Sequence, residues 1–379
     1  MRVGIAGAGW MGHTHGRAWL EHSARSRLVA VADTSAARAE AVTSLVSGGG
    51  VRVYPDLAAM LADPEIDAID ICLPHHLHKD AIVAAAGAGK HVLCEKPLCL
   101  TLEEAQAIRD AVSKAGVRFM SAHNKLFSPG MAEARRLVKL GTVGRVYVVR
   151  TIEAGQNWGM MTGEMPLNLP PGESPWSWRK DPKRAGGGEV LDNGWHAVYC
   201  LLALAGSRPV EVSAMLGDYV IRQPEAEDTG ILLVRFEDDT IGLSITSWAF
   251  ADTPPGYEFQ VAGERGSIAG TAAKLMLALQ DRLPAERSFG RTSIFDRLPP
   301  LAKAGARRLG LLGADDPTQT PLGSSYAAEI GHFLDVVQQG TPCIAGWDEA
   351  ARTLQVIRGA YRAAAERRTV PLPEDPTQL

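Results

Sequence analysis

The 379-residue chain carries 39 Lys and Arg against 43 Asp and Glu, a formal net charge of −4 with both signs spread along its length. That balance excludes the basic stripe of a nucleic-acid binder and the acidic block of a charged tail. At 46% hydrophobic and 22% charged residues the composition is that of a globular protein, and the length exceeds what one core usually supports, so two domains are expected.

The sequence opens directly on a strand pattern, Arg2–Ala6, with no charged and apolar leader ahead of it, so no secretory signal is expected. No apolar run is long enough to span a bilayer. From residue 1 to about 122, β-branched runs alternate with helical spacing, which predicts a parallel sheet built from βαβ units. The strands are read as Arg2–Ala6, Leu28–Ala32, Val51–Tyr54, Ala68–Cys72, His91–Cys94 and Arg118–Ser121. Between them, Leu57–Leu61, Lys79–Ala88 and Leu102–Ala115 carry helical spacing, the last introduced by a Thr101/Glu104 capping box. This is the pattern of a doubly wound Rossmann domain over residues 1–122.

The pattern changes over 123–379. A helix at Met131–Leu140 is followed by strands at Val146–Ile152, Val210–Ile221, Gly230–Phe236, Thr240–Trp248 and Tyr257–Val261, with Glu237-Asp238-Asp239 as a hairpin turn. Helices at Tyr326–Gln338 and Asp348–Arg367 close the chain. The expected fold is therefore α/β, followed by an α+β domain with a largely antiparallel open sheet whose C-terminal helices can pack back on the first domain. Two stretches, Gly155–Pro182 with Trp158, Trp176 and Trp178, and Leu283–Pro321, have no regular period and read as lids, oligomer arms or insertions. The five cysteines, Cys72, Cys94, Cys99, Cys200 and Cys343, form no C-x-x-C pair and read as reduced thiols of a cytoplasmic protein.

Gly7-Ala8-Gly9-Trp10-Met11-Gly12 is a G-x-G-x-x-G motif between the first strand and the first helix. Gly7 permits the tight turn, Gly9 lets backbone approach a pyrophosphate and Gly12 lets the helix pack on the strand, while the helix N-terminus offers unpaired N–H groups. Asp33 ends the second strand. It can accept hydrogen bonds from an adenosine ribose or cap the next helix; the first reading favours NAD over NADP, with Arg38 as the residue that could instead meet a phosphate. Glu95-Lys96-Pro97 lies at the carboxyl end of a strand, where open α/β sheets place ligands, and Lys96 could move a proton or stabilise a developing oxyanion there.

These two motifs, together with Gly186-Gly187-Gly188-x-x-x-Asp192-x-Gly194-x-His196, resemble the glucose–fructose oxidoreductase/inositol dehydrogenase/MocA family over nearly the whole chain. The resemblance implies a nicotinamide-dependent oxidoreductase in which Lys96, Asp192 and His196 surround a sugar or cyclitol substrate. His196 fits the proton acceptor that carbinol oxidation needs. Asp192 and His196 stand four apart, so a helix beginning near Gly194 could set both on one side of the cleft.

The resemblance further assigns Gly7, Gly9, Trp10, Met11, Gly12, Asp33, Leu73, Pro74, His75, His78, Glu95, Lys96 and Asn124 to the cofactor. It assigns Lys96, His123, Trp178, Arg179, Asp192 and His196 to the substrate. Leu73 and His75 depart from the Thr and Asn usual in the family's T-P-N segment, and Lys125 follows Asn124 where an arginine is common. No metal is expected, because His75, His76 and His78 lack a ligand spacing with a matching carboxylate or cysteine.

The reading is an NAD-dependent dehydrogenase or reductase, NADP being the other possible cofactor. Two alternatives stand beside it: a redox-neutral glycoside-processing enzyme that retains its NAD, and an inactive nucleotide-binding sensor. Partners are a small polyol or sugar and a second copy of the chain, as dimer or tetramer, since apolar Leu232, Val234 and Ile245 need a cover on each face of the second sheet. No nucleic acid and no membrane is expected.

Overall fold

A computed structural model describes residues 1–155, 177–220, 226–250, 257–289 and 321–379. Strands β1 (Arg2–Ala6), β2 (Arg27–Ala32), β3 (Arg52–Tyr54), β4 (Ala68–Ile71), β5 (His91–Glu95) and β6 (Phe119–Ala122) form one parallel sheet in the order β3-β2-β1-β4-β5-β6. Helices α1 (Trp10–Leu20), α2 (Ala36–Thr43), α3 (Leu57–Leu61), α4 (His78–Gly87) and α5 (Leu102–Ala115) connect the strands. Val3, Ile5, Ile69, Val92 and Leu93 are fully buried, as expected where helices cover both faces of a parallel sheet. The Thr101/Glu104 capping box forms, and α5 stops at Gly116 in the left-handed region.

The strand order reverses between β1 and β4. Neighbouring loops diverge there and leave a crevice at the carboxyl ends, the place where doubly wound sheets bind ligands. The glycine motif leaves β1 at this crevice, Leu73–His75 leaves β4 and Lys96 leaves β5.

The second half contains α6 (Pro129–Lys139), β7 (Val146–Ala154), the single turn α7 (Pro182–Ala185), α8 (Gly194–Ala205), β8 (Pro209–Gly217), β9 (Thr229–Phe236) and β10 (Ile241–Ser247). It continues through β11 (Phe259–Gly263), β12 (Gly266–Gly270), β13 (Lys274–Leu279), β14 (Ala285–Ser288), α9 (Pro321–Gln339), α10 (Trp347–Glu366) and β15 (Val370–Pro371). Among the described residues, its nine strands run in the order β14-β13-β12-β11-β7-β10-β9-β8-β15. Only β7 and β10 pair in parallel; the other neighbours are antiparallel. Strands β12 to β15 are additions to the expected set. Gly266–Gly270 is glycine-flanked, Lys274–Leu279 is an apolar run without alternation, Ala285–Ser288 is half charged and Val370–Pro371 is two residues long, so they carry little period-2 signal.

The hairpin at Glu237-Asp238-Asp239 forms, with Phe236 N–H donating to the Thr240 carbonyl at 2.9 Å and Asp239 at φ 66°. Aspartate tolerates that left-handed conformation better than most residues. Helices α9 and α10 do pack on the parallel-sheet half. His22 Nε2 meets the Ala327 carbonyl at 2.7 Å, Arg25 pairs with Asp335 at 2.7 Å, and Trp347 Nε1 donates to the Ala105 carbonyl at 2.9 Å.

One expectation about the second sheet is corrected. Leu232 and Val234 are buried on the face that α8 and α10 cover, so they need no further partner. The other face carries Ile245 together with Ile231, Leu233, Ile241 and Met215, of which Leu233 is 50% and Met215 81% exposed. Trp158, Trp176 and most of the two irregular stretches lie outside the described residues. No helix among the described residues is long and apolar enough to cross a membrane.

Leu232→Ala should lower folding stability by about 2–5 kcal/mol, the usual cost of emptying a filled core site. The check is urea unfolding, with a lower midpoint and an unchanged slope expected; an unmoved midpoint would mean that the helices do not seal this face.

Candidate active site

The glycine loop leaves no room for side chains at two points. Gly7 sits at φ +94°, and a Cβ there would lie 2.5 Å from the Cys72 carbonyl oxygen. A Cβ on Gly12 would lie 2.0 Å from the Gly7 carbonyl oxygen, so α1 can press against the end of β1 only without one. Gly9 is the N-cap of α1 and brings no side chain to its first N–H groups, while Trp10 and Met11 open the helix half-buried. Bare donors at a helix N-terminus on a crevice fit a pyrophosphate.

Asp33 follows β2 and ties this loop down. Its Oδ2 accepts from Ala8 N–H at 2.8 Å, and its Oδ1 accepts from Ser35 N–H at 2.7 Å and from Arg38 Nη2 at 2.9 Å. Ser35 caps α2, so the capping alternative for Asp33 does not hold. Arg38 is engaged by the carboxylate. On the neighbouring wall Leu73 and Pro74 lead from β4 into a turn at His75–Leu77, and His78 spans the crevice floor. Its Nδ1 lies 2.6 Å from the Pro97 carbonyl and its Nε2 2.8 Å from that of Leu73. The donors, the glycine cradle and the strand-end carboxylate together fit a dinucleotide.

Beside this crevice the two halves of the chain meet through a carboxylate. Lys96 Nζ donates to Asp192 Oδ1 at 2.7 Å and to the Asp192 carbonyl at 3.0 Å. Arg179 Nε donates to Asp192 Oδ2 at 2.5 Å, and His75 Nε2 stands 3.8 Å from Oδ1. Trp178 stacks under the Arg179 guanidinium at 4.2 Å and meets the His75 ring edge-on at 4.4 Å. Burial alone would raise the Asp192 carboxyl, but the Arg179 and Lys96 charges outweigh it and hold it well below the ordinary carboxylate range. Burial pushes His75 well below the usual imidazole value, so it is neutral.

Helix α8 begins at Gly194 and places His196 in its first turn. A Cβ on Gly194 would come within 3.0 Å of Thr246, which explains a glycine where the helix meets β10. His196 Nδ1 lies 2.7 Å from the Tyr199 hydroxyl, one turn along the same helix. That hydroxyl accepts from Lys125 N–H at 3.1 Å and reaches Asn124 Oδ1 at 3.4 Å. If Tyr199 donates to Asn124, it accepts from His196 Nδ1–H and leaves Nε2 unprotonated. Burial first, then the Lys96 and Lys125 charges, lowers the His196 pKa well below its usual value.

Several expected site residues sit elsewhere. His123 is fully buried, stacked on Tyr199 at 4.2 Å, with Nε2 accepting from Trp195 Nε1 at 3.1 Å; it supports α8 and does not face the cleft. Glu95 turns its carboxylate inward, away from the crevice, onto His15 Nε2 at 3.1 Å and Lys96 N–H at 2.9 Å. The adjacent histidines point apart: His75 to the Ala185 carbonyl, His76 beside Arg184 and His78 to the crevice floor. Tyr199 and His15 were not singled out from the sequence. The i, i+3 spacing of Tyr199 from His196 was the available signal for the first; nothing local marks the second.

The family models match on both sides of this cleft. The one described as "Oxidoreductase family, NAD-binding Rossmann fold" covers residues 1–123, and the "GFO/IDH/MocA C-terminal domain" covers 131–269. The chain belongs to this oxidoreductase family. Among curated relatives it is 28% identical to a levoglucosan dehydrogenase of Pseudarthrobacter phenanthrenivorans over 71% of this chain and 73% of that one. It is 27% identical to an inositol 2-dehydrogenase of Rhizobium meliloti over 98% of both chains. A levoglucosan dehydrogenase solved with NADH and levoglucosan shares the fold at a TM-score of 0.80 and 23% identity, over 99% of this chain and 100% of that one. The first of these models makes residues 1–123 an NAD-binding Rossmann domain.

Asp192→Asn removes the only carboxylate bonded to Lys96 and Arg179 among the described residues and should cost about 3–5 kcal/mol of stability. The wild-type contribution has a definite pH window. Because the folded-state pKa lies below the unfolded value of about 3.9, it is complete at neutral pH and is lost only as acidification passes that value and then the folded pKa. Thermal unfolding from pH 7 to pH 3 checks this; the gap between wild type and variant should stay constant down to about pH 4 and narrow below it.

Proposed function

We propose that the protein is an NAD-dependent dehydrogenase or reductase acting on a hydroxyl or carbonyl carbon of a sugar, sugar derivative or cyclitol, with Lys96, Asp192 and His196 at the reacting carbon. The observation that carries the reading is the 2.7 Å contact of Lys96 with Asp192, which sets a cation from the dinucleotide half beside the helix that bears His196. Relatives named for levoglucosan and inositol support the substrate class.

Bound NAD supplies the hydride acceptor for the carbon. The protein's own part is the proton and the oxygen. His196 Nε2 takes the hydroxyl proton, and the tie from Nδ1 to Tyr199 fixes the ring for it. Lys96 donates to the same oxygen and stabilises the negative charge that grows as the proton leaves, its direction set by Asp192. Arg179 and Trp178 act through Asp192, as positioning residues. In reduction His196 returns the proton. Asp33 favours NAD over NADP, because its Oδ2, which accepts from Ala8 N–H, keeps a lone pair for a ribose hydroxyl, whereas the carboxylate repels a 2′-phosphate. Five free thiols support a reducing, cytoplasmic location.

The test is a panel of polyols including levoglucosan and myo-inositol, read by absorbance of the reduced nicotinamide. Stoichiometric NADH supports the dehydrogenase; turnover without net NADH would replace it with the redox-neutral course. Lys96→Ala or His196→Ala should lower kcat by roughly 10²- to 10⁴-fold with NAD affinity unchanged. The double variant should be little worse than the more damaging single. Since His196 is held neutral far below its ordinary value, the acid limb of kcat/KM for oxidation should fall well under pH 6.5. A limb at or above that value argues against His196 as the proton acceptor.

We also infer self-association through the face of the second sheet opposite α8 and α10, where, among the described residues, Ile231, Leu233, Ile241 and Met215 are exposed. Light scattering should give a multiple of 40.5 kDa, reduced by Leu233→Asp with NAD binding intact. A wild-type monomer at all concentrations would sink it.

A further inference from the structure

Beneath the crevice lies a cluster of ionisable groups that the proposed reaction does not use. His15 on α1 is fully buried, with Nδ1 2.9 Å from Asp70 Oδ2 on β4 and Nε2 3.1 Å from Glu95 Oε1 at the end of β5. Trp19 Nε1 donates to the same Asp70 oxygen at 2.7 Å, and the Cys72 thiol reaches Oδ1 at 3.6 Å. From α9, the Tyr326 ring lies 5.7 Å from the His15 ring, and the fully buried Glu329 is held well above the usual carboxylate range by burial, so it adds no charge.

A neutral imidazole has one protonated and one bare nitrogen. Here the bare one would face a carboxylate oxygen at about 3 Å in a fully buried site, a repulsion that a low-dielectric interior magnifies. A ring that donates from both nitrogens removes it, and both carboxylates then have a partner. His15, Asp70 and Cys72 also form the one group of clustered potential metal ligands among the described residues. Both ring nitrogens are already taken, and burial pushes the Cys72 thiol up to about 12, so this cluster is built around a proton and not a metal ion.

The second oxygen of Glu95 gives the cluster a consequence. Glu95 Oε2 accepts from the Lys96 backbone N–H at 2.9 Å, and Lys96 leaves the strand at that point for Asp192. We propose that His15 is a positioning residue for the reaction: as an imidazolium between Asp70 and Glu95 it locks the Glu95 carboxylate, which in turn fixes the Lys96 backbone and the direction of its side chain. A histidine that merely filled the core would affect stability alone. One that sets the place of Lys96 affects turnover at saturating substrate, since an error of about 1 Å at a reacting group can cost about 10²-fold.

This inference rests on Lys96 taking part in the reaction, and the experiment separates the two. In the full-length protein labelled with ¹⁵N-histidine, both His15 ring nitrogens should resonate as protonated at pH 7.5, assigned by their loss in His15→Gln. The Lys96 amide should exchange its hydrogen faster in His15→Gln and in Glu95→Ala. On the polyol that the wild type oxidises, both variants should lose about 10²-fold in kcat with NAD affinity unchanged. Glu95→Gln, which keeps an acceptor for the amide, should lose less than Glu95→Ala, and the pair His15→Gln/Glu95→Ala should be no worse than either alone. Rates are taken per NAD-binding site, so partly folded protein does not count. A neutral His15 ring, or Lys96 amide exchange unaltered in both variants, overturns the clamp. Full turnover in His15→Gln beside an inactive Lys96→Ala also overturns it while leaving the role of Lys96 intact; full turnover in Lys96→Ala removes the reading on which the clamp rests.

Discussion

Asp192 is a carboxylate buried between two halves of the chain, and a buried charge without partners costs far more than any one contact returns. It therefore has to be met from both sides. Lys96 comes from the end of β5 in the parallel sheet and bonds Oδ1, and Arg179 comes from the segment just ahead of α7 and bonds Oδ2. Much of the local geometry follows from satisfying that one group. Trp178 and His75 pack around the Arg179–Asp192 contact, and α8 starts two residues after Asp192 with His196 in its first turn. The arrangement that stabilises the ion contact is the one that gathers a cation, a carboxylate and an imidazole beside a dinucleotide crevice.

Much of this was legible in the sequence for physical reasons. Parallel strands buried on both faces read as continuous apolar runs, and the capping box of α5 and the glycine loop after β1 are local devices whose residues sit next to one another. Lys96, Asp192 and His196 were recognisable only through resemblance, because no local pattern says that residues 96 apart share a hydrogen bond. Where the reading failed, the deciding contact was also non-local. His123 looked like a cleft residue from its place after β6, but Trp195 and Tyr199 on α8 enclose it. Glu95 looked like a cofactor ligand from its motif, but a histidine on α1 takes its carboxylate. The short strands β12 to β15 are defined by the edges they pair with, not by their own alternation.

The second sheet shows why strand propensity alone cannot say which face needs a cover. Leu232 and Leu233 are adjacent and chemically identical, yet one is fully buried under helices and the other is half exposed. Period 2 guarantees that neighbours part company; which of them goes inside depends on where α8 and α10 lie.

The return of α9 and α10 to the first half alters how the molecule can move. A chain that passed once from one sheet to the other would leave a single joint near residue 123, about which two lobes could swing. Here the contacts of His22 with Ala327, Arg25 with Asp335 and Trp347 with Ala105 form a second tether. Two bodies tied at two separated points lose most of their rotational freedom. Access to the cleft then depends on side chains and loops at its rim, and the spacing between the glycine crevice and His196 is set when the protein folds, before any ligand arrives.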